Sequence, residues 1–209
     1  MNKIFSIMSA IALIFSNGCT VQVNPTPTPT PTPPTAQPKS NTITDTINVE
    51  GEKQKITLNL YKRAGLPFTT YVPANRFVDQ TVSSGEGTAV WFYWLQPDSN
   101  PNKNVYVQFF FPGEKLTLQQ TTERLLGNNG LFAINKWQVT NRSQAQEDLY
   151  PWATEKIVFR QQGDRNIVGS VFVGEYNGRA FWAVQHYPAE FGDGFEPLAG
   201  KIFSYLQLI

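Results

Sequence analysis

Cysteine and histidine are the scarcest chemistry-bearing residues: among 209 residues there is one Cys, Cys19, and one His, His186. One Cys permits no intramolecular disulfide, and one His with no Cys after position 19 excludes the common zinc sites built from nitrogen and sulfur ligands. Blocks of like charge are missing as well. Lys3 and Lys39 precede the main body of the chain, which from Asn41 onward carries fifteen basic and sixteen acidic residues, a net charge of −1. Such a balance argues against nucleic-acid binding and against a polybasic membrane patch. No Ser sits in a Gly-x-Ser-x-Gly elbow, and Gly85-Glu86-Gly87 lacks both the third Gly and the following helix of a phosphate-binding loop. No internal repeat is present.

What the chain does have begins at its N-terminus. Lys3 is followed by Ile4 to Phe15, almost without a polar break, then by Ser16, Asn17, Gly18 and Cys19. This is the layout of an export signal. These twelve positions rise about 18 Å as a helix, short of the roughly 30 Å hydrocarbon core, so a permanent span is not expected. Small residues at Ser16 and Gly18 suit an ordinary signal peptidase, while Gly18-Cys19 resembles the end of a bacterial lipobox. Ser16 and Asn17 stand where that motif usually has Leu and a small residue. Lipidation at Cys19 accounts for an otherwise unpaired, reactive exported thiol. The resemblance to bacterial lipoproteins implies a diacylglyceryl thioether and an acylated amine on Cys19, and two acyl signals are what stable anchoring takes. The signal peptide is then residues 1–18, with the mature chain exported and lipid-anchored to a bacterial membrane on its periplasmic or outer face.

Thr alternates with Pro from Pro25 to Pro33 and the bias continues to Pro38. Proline fixes φ and removes backbone donors, so residues 19–40 read as an extended tether, the fourteen positions from Pro25 spanning roughly 40 Å at ~3.1 Å each. Residues 41–209 are long enough for one globular domain with a core. Apart from Phe5 and Phe15, every Phe, Tyr and Trp lies in it.

Ile43, Ile47 and Val49, then Ile56, Leu58 and Leu60, alternate with polar residues on either side of Gly51 to Lys55, the pattern of a hairpin with one buried face. Phe68 to Val72 predicts a short strand. Thr88 to Leu95 is apolar on both sides, as in a strand covered on both faces, and Val105 to Phe111 is its expected neighbour. Thr117-Leu118-Gln119-Gln120 has capping-box spacing and predicts a helix ending near Gly127. Trp137 to Thr140 predicts a strand and Asn141 to Asp148 a loop; Thr154 to Gln161, Ile167 to Tyr176 and Arg179 to Tyr187 predict three more strands. Asn177-Gly178 is the preferred pair for a two-residue type I′ turn, which sets Tyr176 against Arg179, Val173 against Trp182, Val171 against Val184 and Gly169 against His186. A last helix is expected from Pro197, with Leu198, Ile202, Tyr205, Leu206 and Ile209 inward.

The expected fold class is therefore α+β, an antiparallel sheet with two helices packed against it. The order of elements from Leu66 to Ile209, including the strand pair that ends in Phe111-Pro112, resembles the PsbP-like fold of photosynthetic extrinsic proteins. That resemblance implies association with a membrane complex and carries no catalytic residues across.

Candidate site residues are few. His186 with Glu190 or Asp193 is the only pairing that suggests a small hydrolase, against a packed structural His at the rim of a core. Glu190, Asp193 and Glu196 miss calcium-loop spacing and suit a solvated helix start. The tryptophans can stack on sugar rings or form a protein-binding patch, and core packing is the other reading. Trp152, which follows a polar loop, is the one expected to be exposed, so Trp152 and His186 are the candidate binding residues. The functional expectation is a non-enzymatic, membrane-tethered binding or assembly domain without cofactor or metal, with an envelope complex or a polysaccharide as partner.

Overall fold

The computed structural model describes residues 40–161, 163 and 166–209. The export signal, Cys19 and the Thr-Pro tether up to residue 39 lie outside the described residues.

Hairpins dominate from the start. β1 (Thr42–Val49) and β2 (Glu52–Lys62) join through Glu50-Gly51, with φ of 52° and 85°. Positive φ at both turn residues is the type I′ condition, so the turn is tighter than the expected Gly51 to Lys55, and Glu52 to Lys55 belong to the strand. β3 (Phe68–Pro73) pairs with β2. A corner follows in which Arg76 N–H donates to the Pro73 carbonyl at 3.3 Å and Asn75 takes φ 59°. Beyond it, β4 (Phe77–Ser84), β5 (Gly87–Leu95) and β6 (Pro101–Pro112) run as a meander.

α1 (Leu118–Leu126) opens with the anticipated capping box. Gln120 N–H donates to the Thr117 hydroxyl at 3.2 Å and Thr117 N–H donates to the Gln120 side-chain carbonyl at 2.9 Å. Gly127 closes the helix. The short α2 (Leu131–Ile134), β7 (Trp137–Ser143), β8 (Ala153–Gln161), β9 (Ile167–Tyr176) and β10 (Arg179–Pro188) follow. The register across Asn177-Gly178 pairs Val173 with Trp182, Val171 with Val184 and Gly169 with His186, as the turn type requires. The chain ends with α3 (Gly192–Ser204) and β11 (Gln207–Leu208).

Among the described residues the strands form two antiparallel sheets, β1-β2-β3-β11 and β4-β5-β6-β10-β9-β8-β7. The α+β expectation of one antiparallel sheet with two helices against it is overturned: this is a β-rich sandwich. Two things separate the outcomes physically. The corner at residues 73–76 breaks the chain into a second sheet where strand alternation alone would continue the first. β4 mixes the strand formers Phe77, Val78, Thr81 and Val82 with Asp79, Gln80, Ser83 and Ser84, and no strand was expected there, yet it pairs with β5 along its whole length.

Two further expectations change at the C-terminus. Pro197 lies inside α3, not at its start, because burying Phe195 at 0% exposure favours an extra N-terminal turn. The proline ring removes one backbone donor, and the carbonyl four residues back belongs to Asp193, which is exposed to solvent. Ile209 is 58% exposed because Leu208 has left the helix to pair with Phe68 in β11.

The large sheet has two unlike faces. Its inner face carries Phe92, Val107, Phe109, Phe172, Phe181 and Ala183, which pack on Phe68 from β3 and on Phe195, Ile202 and Phe203 from α3. Its outer face carries Ile157, Phe159, Val171, Val173, Trp182 and Val184, which pack beneath Leu125 of α1 and Phe132 of α2.

Candidate functional site

Helical cover on the outer face is incomplete. α1 packs over β9 and β10, and α2 over β7. The outer positions of β4, β5 and β6 extend beyond them. Strand alternation and register place Val78, Gln80 and Val82 of β4 beside Tyr93, Trp91 and Ala89 of β5, with Tyr106 and Gln108 of β6 next in line. Val78 and Val82 are 39% and 46% exposed, and Trp91, Tyr93, Tyr106 and Gln108 are half-buried. The expectation that Thr88 to Leu95 is covered on both faces therefore fails on one of them. Val90 and Phe92 are enclosed by the small sheet, while Trp91 and Tyr93 border solvent.

This open half-face is an aromatic row. The Trp91 and Tyr93 rings are parallel within 4°, their centroids 6.5 Å apart. The Lys103 ammonium lies 3.7 Å over the Tyr93 ring and donates to the Gln80 side-chain carbonyl at 3.2 Å, so one cation ties β6 to β4 across β5. Tyr93 meets Tyr106 edge to face at 6.0 Å, and Tyr106 stacks on His186 at 4.7 Å. Burial raises the Tyr93 hydroxyl above its ordinary pKa, and burial followed by the neighbouring Tyr93 pushes Tyr106 well beyond the usual phenol range. Both stay protonated donors at neutral pH.

His186 closes the row where helical cover begins. It is 8% exposed, its Nδ1 donates to the Asn104 carbonyl at 3.0 Å, and Trp137 and Phe159 lie beyond it at 5.7 and 6.2 Å. Burial lowers its pKa from 6.5. The protein should therefore keep its full His186 contribution above about 6.5, where both states are neutral. It should lose stability as pH falls from there toward the lower folded value, because the unfolded chain takes up the proton more readily. Imidazole resonances should titrate below 6.5, and the loss of unfolding free energy from pH 7.5 to pH 5 should be smaller in His186→Gln than in the parent.

Structure does not gather the hydrolase pairing. His186 points to the outer face of the large sheet, whereas Asp193 opens α3 against the inner one; Glu190 and Asp193 are exposed and no bond joins either to His186. Trp152 is not exposed either. Its Nε1 donates to the Phe203 carbonyl at 2.9 Å, and its ring lies among Phe109, Tyr150, Phe172, Phe181 and Phe203. The polar loop before it turns the indole inward because α3 offers both a carbonyl that accepts it and an apolar bed.

One buried charge was not anticipated. Glu155 occupies an outer-face position of β8 with a side chain 6% exposed, and it accepts Nε and Nη2 of Arg142, the former at 2.7 Å. Thr122 of α1 contributes a longer contact at 3.4 Å, and Gln119, Glu123 and Gln144 complete a cleft of about 440 Å³ at the edge of α1. The pair joins β7, β8 and α1. A buried carboxylate needs such a partner, and Arg142 is available because β7 runs on to Ser143 instead of ending at Thr140.

The residues of the open half-face left a faint trace in the sequence. Gln80 interrupts Val78 and Val82 on one side of β4, which leaves no wholly apolar stripe and hence no drive to recruit a helix. Among the described residues no cluster of three or more metal-ligating side chains occurs.

The chain matches no protein-family model and no curated protein. Among solved structures it is similar to the cyanobacterial PsbP protein (CyanoP) of Synechocystis sp. PCC 6803, at 15% identity and a TM-score of 0.49 over 73% of this chain and 92% of that one.

Proposed function

We propose that the chain is a non-catalytic binding protein of a bacterial envelope. In this reading residues 1–18 export it, a lipid on Cys19 anchors it, and the Thr-Pro tether holds its domain away from the membrane. The open half-face of β4, β5 and β6 is the contact surface. The observation that carries the binding role is the juxtaposition of Trp91, Tyr93 and Tyr106 beside solvent on a sheet whose other half is roofed by helices. A monomer gains by burying such rings, so leaving them at the surface is consistent with a partner. Support for the non-catalytic reading comes from His186, whose Nδ1 is committed to the Asn104 carbonyl away from both candidate carboxylates.

The anchor and the face are tested separately. Cys19→Ser should move the protein from the membrane fraction to the soluble fraction; retention as firm as the parent's removes the lipid anchor. Cys19 is the only cysteine. Adding Val82→Cys to Cys19→Ser therefore gives a single thiol at an exposed position of the half-face, suitable for an environment-sensitive fluorophore. Its emission should change on mixing with isolated envelopes, and no change rules out the half-face as the contact surface.

A further inference from the structure

Resting on the reading of the half-face as a binding surface, we infer that its ligand is an uncharged polysaccharide, held by stacking of a pyranose ring on Trp91, with Tyr93 flanking it. A pyranose presents C–H groups on its faces and hydroxyls around its rim. A complementary surface offers flat aromatic rings together with unengaged polar groups of both kinds and little charge. The half-face has each of these.

The rings come first. Trp91 and Tyr93 are two positions apart on one strand and parallel within 4°, with centroids 6.5 Å apart; the Lys103 ammonium lies over the Tyr93 ring, so Trp91 is the platform and Tyr93 lines its side. Tyr106 extends the row onto the next strand. The polar groups come second. The Trp91 indole N–H, the Tyr93 and Tyr106 hydroxyls and the Gln108 amide make no hydrogen bond among the described residues. Elsewhere in the domain Trp152 Nε1 is engaged with the Phe203 carbonyl, the Tyr71 hydroxyl with the Ser40 carbonyl and the Tyr205 hydroxyl with Asp45, while Trp137 Nε1 is buried without a partner; what sets the half-face apart is that its free groups lie together beside solvent. Aromatic residues that only fill space have no need to keep their polar tips together at one solvent boundary.

Charge comes third. The outer positions of β4, β5 and β6 include no carboxylate. Asp79 points to the opposite face, where Arg63 pairs with it at 2.7 Å. The one cation, Lys103, is spent on Tyr93 and Gln80. A basic polymer finds no counter-charge here and an acidic one only the single Lys103 ammonium, held by a neutral ring and a neutral amide, whereas a neutral, hydroxyl-rich chain needs none. A flat protein surface would ordinarily meet an apolar centre with a polar rim. Here the amides of Gln80 and Gln108 stand on either side of Trp91 within the row itself.

The experiment uses the full Cys19→Ser chain with the fluorophore at Val82→Cys, titrated with cellohexaose, chitohexaose and a protein-free neutral wall glucan, reading both label and indole emission. Saturable binding to at least one is expected. Trp91→Ala should weaken it at least about tenfold, the loss of one stacked ring, while Trp91→Phe keeps most of it and Gln108→Ala weakens it without touching a ring. Val139→Ala, 44% exposed at the far edge of the same sheet, should leave it unchanged. Silence with every glycan overturns the inference, as does an affinity equal to the parent's in both Trp91→Ala and Gln108→Ala. If the label answers to envelopes but not to glycans, and protease treatment of the envelopes abolishes the answer, the partner is a protein. The binding face then stands and the polysaccharide does not.

Discussion

Phe109→Ala should lower the unfolding free energy by about 4 kcal/mol, the range for emptying a large aromatic site in a core. Phe109 is fully buried on β6 and touches every layer on the inner side of the large sheet. Its ring lies 5.0 Å from Phe68 of β3, 5.7 Å from Phe203 of α3 and 6.3 Å from Phe92 of β5. The Trp152 indole is also beside it, at 6.4 Å. Those neighbours are held by two different sheets and a helix, so none can collapse into the vacancy without shifting a backbone element. Chemical denaturation should show a lower midpoint with little change in slope, and Phe109→Leu should recover most of the loss. A cost below about 1 kcal/mol would mean that the two sheets do not meet at this residue.

Gly169→Ala should cost about 3 kcal/mol although it adds a single methyl group. On β9, Gly169 faces His186 on one side and Phe159 on the other. A Cβ there would lie 2.5 Å from the Phe159 Cζ and well inside contact distance of the Gln185 carbonyl oxygen. The Phe159 ring fills the space a side chain would take, and Trp137 is stacked on that ring at 4.0 Å. Displacing Phe159 must therefore displace Trp137, so the variant should also shift indole emission. A stable variant with unaltered fluorescence would contradict this packing.

Gly169 also illustrates which parts of the fold were legible in advance. Its pairing with His186 followed from Asn177-Gly178 alone, because a two-residue turn with positive φ at both positions leaves one register. The capping box at Thr117 was similarly local, two hydrogen bonds within four residues. What failed was information held between distant elements. Nothing near residues 73–76 announces that the chain is changing sheets. Trp152 faces inward because of a carbonyl on α3, fifty-one residues further on. Trp91 and Trp94 sit in one apolar run, and only the reach of α1 and α2 decides which of its two sides is roofed. The aromatic half-face was for that reason invisible as a site: Trp91, Tyr93, Tyr106 and Gln108 were read as strand, but Val78, Gln80 and Val82 were assigned to no element.

The first strand has a mechanical consequence. β1 is an edge strand, bonded to β2 alone, and the chain enters it directly after Ser40. A strand in that position peels away one rung at a time when its end is pulled. Here, however, the Asp45 carboxylate is gripped from outside the sheet, by the Lys201 ammonium at 2.7 Å and the Tyr205 hydroxyl at 3.0 Å, at the C-terminal end of α3. Lys201 and the Thr46 backbone N–H help hold that carboxyl below its ordinary pKa, so the grip persists in mildly acid surroundings. Tension arriving at Ser40 is thus handed after a few residues to a helix packed in the core. The domain resists unravelling from the end at which a tether would draw on it.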